Sequence, residues 1–299
     1  MQGVLSSVAP STLQAYSAAA SRFLAFSKGG EAGGSWPPSQ AAVLRYLAHL
    51  RGLGRAPRTM RRDLAAISFF SKAAGFPDPC TCFLARRAVE GWARTAPPRR
   101  DRRRPITLAI LGQVLQAVPS LCRSPYEAQL FRTAYILAFY GAFRVSELVA
   151  GSKGDLSGRA VAFKDVSWSP RRVSIRLRRS KTVQRGKGHV IHLWAARQHS
   201  LCPVRAADRF LSLRPSLSGP FLMHRDGSPL TRFQFSAILR AGLQVCGLAA
   251  RDFGTHSFRI GAATVAANLG LPAAAIQAIG RWRSGAFRTY IRPAAGLSH

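Results

Sequence analysis

Hydrophobic residues recur at three- and four-residue spacing in three stretches near the start of the chain. The first runs from Ser11 to Ser27, the second from Val43 to Leu50, and the third begins after Pro57 and stops near Gly75. This period is that of amphipathic α-helices, which bury one stripe of side chains against their neighbours. The pattern therefore predicts a small helical domain over residues 1–95.

The next segment, residues 96–105, has no apolar period. Pro97 and Pro98 are followed by a run of arginines, and the segment ends at Pro105. Charged, proline-rich sequence of this kind favours an extended chain. We therefore expect a basic interdomain linker, whose composition also suits a nuclear-import signal or a strap along DNA.

Beyond the linker, helical periods occupy residues 106–118 and 126–149. The period then changes: β-branched residues occur in three short stretches, Val161–Val166, Val173–Leu177 and His189–Leu193, and the apolar residues of the second stretch alternate with polar ones. Helical patterns resume after Arg205, over residues 233–244 and 256–269, and from Ala273 onward. We therefore predict a fold that is mainly α with a small antiparallel β-sheet, residues 106–299 forming an α+β domain.

Charge narrows the choice of partner. Lys and Arg number 44 against 12 Asp and Glu, a formal net charge of +32, yet 47% of the residues are hydrophobic. This combination predicts a folded core beneath a basic surface, and nucleic acid is the expected partner. Anionic membrane is the weaker alternative, because the arginines are spread over many segments and the longest apolar run, Thr133 to Phe143, is too short to cross a bilayer.

The cysteines favour a reducing, intracellular compartment. There are five of them, an odd number at scattered positions, and we expect free thiols. His199 and Cys202 lie three apart, but no matching pair follows at zinc-like spacing. We expect no metal site and no small-molecule cofactor.

Two segments carry residues suited to binding a phosphate. In His256-Ser-Phe-Arg259 an imidazole and a guanidinium lie three apart at the start of a predicted helix, on one face. Arg144, in GAFRVSEL, lies in a segment apolar enough to be buried, where an arginine needs a partner or a function. Glu147, one turn on, is the partner expected if the pair is only structural.

Two further segments supply a cation and a nucleophile. Lys181 lies in RRSKTVQRGKG between the second and third predicted strands, and Lys187 in the same turn is the alternative. Tyr290 stands in GRWRSGAFRTYIRP, eight residues after Trp282. The alternative role for Tyr290 is a core or stacking side chain.

The third predicted helix begins with a basic face. Arg58, Thr59 and Arg62 are the residues there that we expect to contact DNA phosphates. A solvated basic face without a partner is the alternative.

Read together, GAFRVSEL, SKT, HSFR followed by IGAAT, and a terminal GRW with a tyrosine beyond it resemble the tyrosine recombinase or phage integrase family. The resemblance covers residues 9–295, and the first hundred residues look like the family's helical core-binding (SAM-like) domain. The wording of SKT, HSFRIGAAT and GRWRSGAFRTYIRP is most similar to recombinases of eukaryotic DIRS-type and Ngaro-type retrotransposons.

The resemblance implies an enzyme that cuts and rejoins DNA through a 3′-phosphotyrosyl intermediate on Tyr290, without ATP or a metal ion. Arg144 and Arg259 would hold the phosphate oxygens, Lys181 would protonate the departing 5′-oxygen, and His256 would assist proton movement. The implied catalytic set is Arg144, Lys181, His256, Arg259, Trp282 and Tyr290.

One position departs from the family pattern. In most members a His or Trp directly follows the glycine and precedes the tyrosine by about nine residues, which by count from Gly280 selects Arg281. Trp282 has the expected chemistry but lies one place later. We assign the role to Trp282 and expect Arg281 to contact DNA.

The resemblance also implies two domains that form a C-shaped clamp around duplex DNA, homotetramers on paired sites, a role in mobile-element integration and, in a eukaryote, a nuclear location. Two alternatives remain: a DNA-binding protein derived from a recombinase that no longer cleaves, and a monomeric type IB topoisomerase.

Overall fold

The computed structural model describes residues 2–29, 36–97, 101–155, 158–178, 188–282 and 284–292. Two compact units divide between residues 100 and 101, within the predicted linker. Lys181 and Lys187 lie outside the described residues.

The first unit is helical. Its elements are α1 (Gln2–Leu5), α2 (Pro10–Lys28), α3 (Gln40–Gly52), α4 (Pro57–Ala73) and α5 (Phe83–Thr95). Helices α2, α3 and α4 are those that the apolar period predicts, whereas α5 was not predicted. The Cys82 thiol caps α5 by accepting a hydrogen bond from the Ala85 N–H at 3.4 Å, a role that side-chain oxygens more often perform.

A buried carboxylate ties three of these helices together. Asp63 in α4 accepts hydrogen bonds from Arg22 Nη2 in α2 at 2.8 Å and from the Tyr46 hydroxyl in α3 at 3.1 Å. Arg62, predicted to contact DNA, also pairs with Asp63, at 3.4 Å. Burial, reinforced by the Asp63 charge, raises the pKa of Tyr46 to about 12, so this hydroxyl remains a donor.

The second unit surrounds a small sheet with helices. Its helices are α6 (Leu108–Leu121), α7 (Pro125–Tyr140), α8 (Val145–Leu148), α9 (Pro203–Leu213), α10 (Arg232–Val245), α11 (Ser257–Asn268) and α12 (Ala273–Gly280). Its strands are β1 (Val166–Ser169), β2 (Arg172–Leu177) and β3 (His189–Trp194), in the order β1-β2-β3 and antiparallel. The predicted class, mainly α with a small antiparallel sheet, is confirmed.

The first predicted strand was misplaced. Val161–Val166 was expected, but β1 begins at Val166, and Phe163–Asp165 form a 3₁₀ turn. Asp165 explains the turn, because its carboxylate accepts a hydrogen bond from the Ala162 N–H at 3.1 Å and so bends the chain just before the strand.

The helix predicted over residues 126–149 is broken. α7 ends at Tyr140, and Ala142 has a positive φ of 41°. The Phe143 ring folds back so closely on Gly141 that a Cβ there would overlap it. This turn places Arg144 just before α8, outside any helix, and its side chain is partly exposed.

Aromatic packing fixes the start of α11. The Tyr135 ring lies 4.8 Å from Phe235 and 5.6 Å from Phe258, and all three side chains are fully buried. These contacts join α7, α10 and α11, so Arg259 in the first turn of α11, and His256 just before it, rest on a rigid core.

Residues 101–105, predicted as linker, pack on the second unit. Backbone hydrogen bonds join Arg104 N–H to Asp252 O at 2.7 Å and Ile106 N–H to Ser257 O at 3.0 Å. The chain passes so close to α11 that a Cβ on Gly261 would overlap the Ile106 carbonyl oxygen. The linker arginines nearest Ile106 therefore belong to the second unit.

None of the five cysteines forms a disulfide. Within the described ranges, no helix is long and apolar enough to cross a membrane. The same residues contain no group of three or more His, Cys, Asp or Glu side chains arranged to hold a metal ion.

Candidate active site

Arg144 and Glu147 form the first part of the site. The Glu147 carboxylate accepts hydrogen bonds from the backbone N–H of Arg144 at 2.9 Å and from its Nη1 at 3.0 Å. Glu147 is buried, whereas the Arg144 side chain keeps 24% of its surface exposed. The ion pair anticipated as an alternative is therefore present, and the Arg144 side chain stays partly accessible to solvent.

Arg281 occupies the same carboxylate. Its backbone is left-handed, with φ 56°, at the end of α12. This turn sends the guanidinium inward, where Nη2 donates to Glu147 Oε2 and Nη1 to the Gly141 carbonyl, both at 2.9 Å. The side chain is only 10% exposed. Arg281 was predicted to contact DNA, but the structure instead places it inside the protein beside Arg144.

Arg259 is completely buried at the start of α11. Its guanidinium donates to the carbonyl oxygens of Ala142 and Gly280, the latter at 2.9 Å. Burial, together with the charges of Arg144 and Arg281, lowers the pKa of Arg259. The group still carries its charge at neutral pH, so its environment favours an additional anion.

The Arg144 and Arg281 guanidinium groups thus share the Glu147 carboxylate, while Arg259, which donates to backbone carbonyl oxygens, adds a third positive charge beside them. Burial also lowers the pKa of Arg281, and the Glu147 charge only partly opposes this. Among the described residues, three buried N–H groups of the cluster have no hydrogen-bond partner: Arg259 Nε, Arg281 Nε and Trp282 Nε1. Surplus positive charge and unpaired donors in one place are the features of an anion site.

Tyr290 lies against this cluster. It ends the 3₁₀ turn Gly285–Tyr290, and its ring centroid is 5.0 Å from that of Trp282 and 5.8 Å from that of His256. The Arg259 guanidinium lies 5.6 Å from the Tyr290 ring. His256, Arg259, Trp282 and Tyr290, all predicted catalytic residues, are therefore neighbours within one chain.

The Trp282 ring packs between Gly280 and the Arg259 guanidinium. The ring lies on Gly280, where a Cβ would overlap it, and the Arg259 guanidinium lies 4.8 Å above the ring centroid. An arginine over an indole face is a favourable cation–π arrangement. Trp282 thus holds the position next to the tyrosine, while Arg281 is paired with Glu147.

His256 is the candidate proton acceptor. Burial lowers its pKa to about 4, and the charges of Arg103, Arg259 and Arg144 add to this effect. The imidazole is therefore neutral at physiological pH. A neutral imidazole accepts a proton on one ring nitrogen and donates from the other.

Arg103 was missed as part of the site. It was placed in the linker, yet its charge adds to the effect of burial in lowering the pKa of His256, and its own pKa is raised by Asp101 and, to a smaller extent, by nearby Tyr290. Asp101 binds it, with Oδ1 2.8 Å from Arg103 Nε. Arg292, just after the tyrosine, donates to the Asp101 and Arg103 carbonyl oxygens at 3.2 and 3.4 Å. Nothing in a run of arginines marks which one folds back, so the sequence carried no signal for this contact.

The predicted DNA contacts of α4 belong to the first unit. Arg58 and Arg62 are exposed and Thr59 is half-buried, so the two arginines are open to a phosphate. Their role stays a prediction.

Comparison with known proteins gives one curated relative. The "Integrase/recombinase xerD homolog" of Selenomonas ruminantium is 28% identical over 263 residues, which cover 83% of this chain and 71% of the relative. No family model matches the chain.

Solved structures give the fold. The Tn1549 transposon integrase in complex with circular intermediate DNA aligns with a TM-score of 0.55 at 15% identity, over 92% of this chain and 88% of that one. A lambda integrase dimer bound to a COC′ core site aligns with a TM-score of 0.60 at 16% identity, over 96% and 90%. The fold is that of the tyrosine recombinases. The site-specific recombinase XerH bound to difH shares it, with a TM-score of 0.60 at 13% identity, over 95% and 76%.

The tyrosine recombinase fold agrees with the resemblance found in the motifs. The curated relative, an integrase/recombinase by name, agrees with the same resemblance.

Proposed function

We propose that the protein is a site-specific tyrosine recombinase, which cuts and rejoins duplex DNA through a bond between Tyr290 and a 3′-phosphate. The observation that carries this proposal is the position of Tyr290 beside the buried Arg259, next to the two arginines, Arg144 and Arg281, that share the Glu147 carboxylate. The curated relative and the DNA complexes of structurally similar proteins, all recombinases or integrases by name, support the same activity.

The chemistry follows from these groups. The Tyr290 oxygen attacks phosphorus, the bond to the 5′-oxygen breaks, and the strand leaves with a 5′-hydroxyl while the phosphate stays on the tyrosine. Negative charge grows on the non-bridging oxygens. Arg144, whose side chain is 24% exposed, is placed to bind one of them, and Arg259 adds its charge from the interior.

Proton transfer needs an acceptor and a donor. Neutral His256, 5.8 Å from the Tyr290 ring, is suited to accept a proton as the phosphate enters. We assign protonation of the leaving 5′-oxygen to Lys181, with Lys187 as the alternative, on the resemblance of SKT to the family motif.

The first unit would hold the duplex. Arg58, Thr59 and Arg62 on α4 are the proposed phosphate contacts, and the net charge of +32 accounts for strong, salt-dependent binding. Arg58→Gln should lower the slope of log affinity against log salt by about one, because one phosphate contact is lost.

Three finer points complete the proposal. The motif wording supports an element of the DIRS or Ngaro type, hence mobile-element integration and a nuclear location in a eukaryotic host. Assembly of four chains on paired sites is proposed from the resemblance to the family. The lambda integrase structure contains a dimer on DNA, so at least paired subunits occur among structurally similar proteins.

The test is covalent capture. The protein is incubated with duplexes carrying candidate element ends, in EDTA, and SDS-stable protein–DNA adducts are counted. We expect adducts from the wild type and none from Tyr290→Phe, which loses only the hydroxyl and should bind the same DNA with unchanged affinity.

Adducts that persist in Tyr290→Phe would remove Tyr290 from the reaction. DNA binding without adducts from the wild type would support the non-cleaving alternative. Relaxation of one duplex without joining of two would support the topoisomerase alternative.

A further inference from the structure

The outer face of the three-stranded sheet carries a second group of basic and aromatic residues. Side chains alternate between the two faces of a strand, so residues paired across strands share a face. The pairs on the outer face are Arg172 with Trp194, Ser174 with His192, and Arg176 with Val190. The opposite face carries Ile175 and Leu193, which belong to the core.

Trp194 is the unusual member of this face. Its side chain is 61% exposed, and the Arg172 guanidinium lies 5.3 Å above its ring centroid. Beside it, Ser174 Oγ and His192 Nδ1 are 2.9 Å apart, a hydrogen bond that orients the imidazole. One face of the sheet therefore carries an indole, an imidazole and two guanidinium groups.

Charge on this face has one sign. The three strands contain no Asp or Glu. Within the described part of the chain, no ion pair engages Arg172 or Arg176, in contrast to Arg178, which binds Asp165 at 2.6 Å. The face is therefore complementary to an anion that also presents a flat ring.

We propose that this face binds an unpaired DNA strand, with a base stacked on Trp194 and phosphates on Arg172 and Arg176. Four residues along a strand separate the two arginines by about 13 Å, a distance that follows a backbone rather than a single ion. Stacking on an indole needs an exposed base face, which a duplex hides and an unpaired strand offers.

DNA is favoured over RNA because cleavage as proposed above releases a DNA strand with a free 5′-hydroxyl. In that respect the inference rests on the proposed function. The binding itself does not require cleavage, so it is measured in the Tyr290→Phe background.

The experiment uses fluorescence anisotropy with a labelled thymidine oligomer of about ten nucleotides and a duplex of equal length. Trp194→Ala should weaken binding of the oligomer about fivefold or more, the effect of losing one stacked base, and leave duplex binding unchanged. Trp194→Phe should recover part of the loss, because a smaller ring still stacks.

Trp168→Ala is the matched control. Trp168 is also exposed and lies in the same sheet, but it is paired with Val173, on the other face, and its ring packs 6.0 Å from Phe163. It should not change oligomer binding.

Arg172→Gln and Arg176→Gln should each reduce the salt slope for the oligomer by about 0.7.

Four outcomes would overturn the proposal. Trp194→Ala could leave oligomer binding unchanged, or it could weaken oligomer and duplex binding equally. A uridine oligomer, which represents RNA, could bind more tightly than the thymidine one, or Trp194→Ala could abolish self-association of the protein and leave DNA binding intact. If the wild type forms adducts but one of these four outcomes is found, the proposed function stands and the strand-binding proposal fails. If Trp194→Ala loses oligomer binding but the wild type forms no adducts, the strand-binding proposal stands and the proposed function fails.

Discussion

Asp63 in the helical unit and Glu147 in the second unit are both buried carboxylates, and each binds two arginines. Around Asp63, the side chains of Arg22 and Arg62 are 42% and 45% exposed. Around Glu147, those of Arg144 and Arg281 are 24% and 10% exposed. The two carboxylates are therefore equally buried, but the arginines paired with Glu147 are much less exposed than those paired with Asp63.

The difference distinguishes a structural tie from a candidate active site. At Asp63, water screens the arginines, and the Tyr46 hydroxyl completes the hydrogen bonding. At Glu147, a third and fully buried guanidinium, Arg259, adds charge that the carboxylate does not balance. Uncompensated charge at low solvent exposure costs stability, and it is retained where an anion binds.

The largest effect should come from the arginines themselves. Arg144→Lys keeps the charge but loses the planar contact with phosphate, and Arg259→Lys keeps the charge but loses the two-point contact with the Ala142 and Gly280 carbonyl oxygens that holds it in place. Each should slow cleavage by about 100- to 1,000-fold, the loss seen when one donor to a developing oxyanion is removed. Single-turnover cleavage rates at saturating protein measure this. A near-normal rate in either variant would remove that arginine from the site.

The two carboxylates can then be compared directly. Glu147→Gln keeps the shape of the side chain but leaves Arg144 and Arg281 without a counter-charge. The cleavage rate should therefore fall about 100-fold, and the free energy of unfolding should fall by about 3 kcal/mol. Asp63→Asn should reduce the free energy of unfolding by about 1–3 kcal/mol and leave the single-turnover rate unchanged.

Urea unfolding and cleavage are measured on the same preparations. If Glu147→Gln does not fold, Glu147→Asp retains the charge and should show an intermediate rate. Equal effects of the Asp63 and Glu147 variants on the cleavage rate would contradict the distinction between the two sites.

The neighbours at the end of α12 sharpen the picture. Trp282→Ala removes the ring beneath Arg259 and should slow cleavage about tenfold, in line with a cation–π contact. Trp282→Phe preserves a ring without the N–H, so its rate separates packing from hydrogen-bond donation.

Arg281→Ala was expected to lose mainly DNA affinity. Because Arg281 is paired with Glu147 in the interior, we now expect lower stability and slower cleavage with unchanged affinity. A loss of DNA affinity alone would restore Arg281 as a DNA contact.

A smaller effect concerns pH. The folded pKa of His256, about 4, lies below its ordinary value of 6.5, so the unfolded chain binds the proton more readily. The stability contributed by neutral His256 is complete above pH 6.5 and is lost as pH falls towards 4. NMR titration should find the His256 pKa near 4 in free protein and higher with duplex bound to Tyr290→Phe.

His256→Asn is the control for this effect. Its free energy of unfolding should fall less steeply between pH 6.5 and pH 4 than that of the wild type. A His256 pKa near 6.5 in the free protein would contradict the burial and charge argument.

The sequence pattern predicts most helices but not the positions of all site residues. The periods of α2, α3 and α4, and of the helices after the sheet, predicted those elements because each buries one regular stripe. The motif around Arg144 predicted the residue but not its position, because the helix break depends on how Phe143 packs against Gly141, a contact between side chain and backbone that periodicity does not encode.

The same limit applies to Arg281 and Arg103. Arg281 turns inward because its backbone is left-handed, and Arg103 joins the site because Arg292 holds the chain segment that carries it. In a sequence with many arginines, residue type alone does not separate surface from site. Only the fold decides which guanidinium groups meet.

The central claim is that Tyr290 forms a covalent bond to DNA beside Arg259 and the Arg144 and Arg281 pair on Glu147. The most direct measurement is mass spectrometry of protein–DNA adducts trapped in EDTA and digested with nuclease and protease. The account predicts a nucleotide attached through its 3′-phosphate to the peptide containing Tyr290, with a 5′-hydroxyl on the released strand. An adduct on another residue, or a 5′-phosphate link to Tyr290, would contradict it.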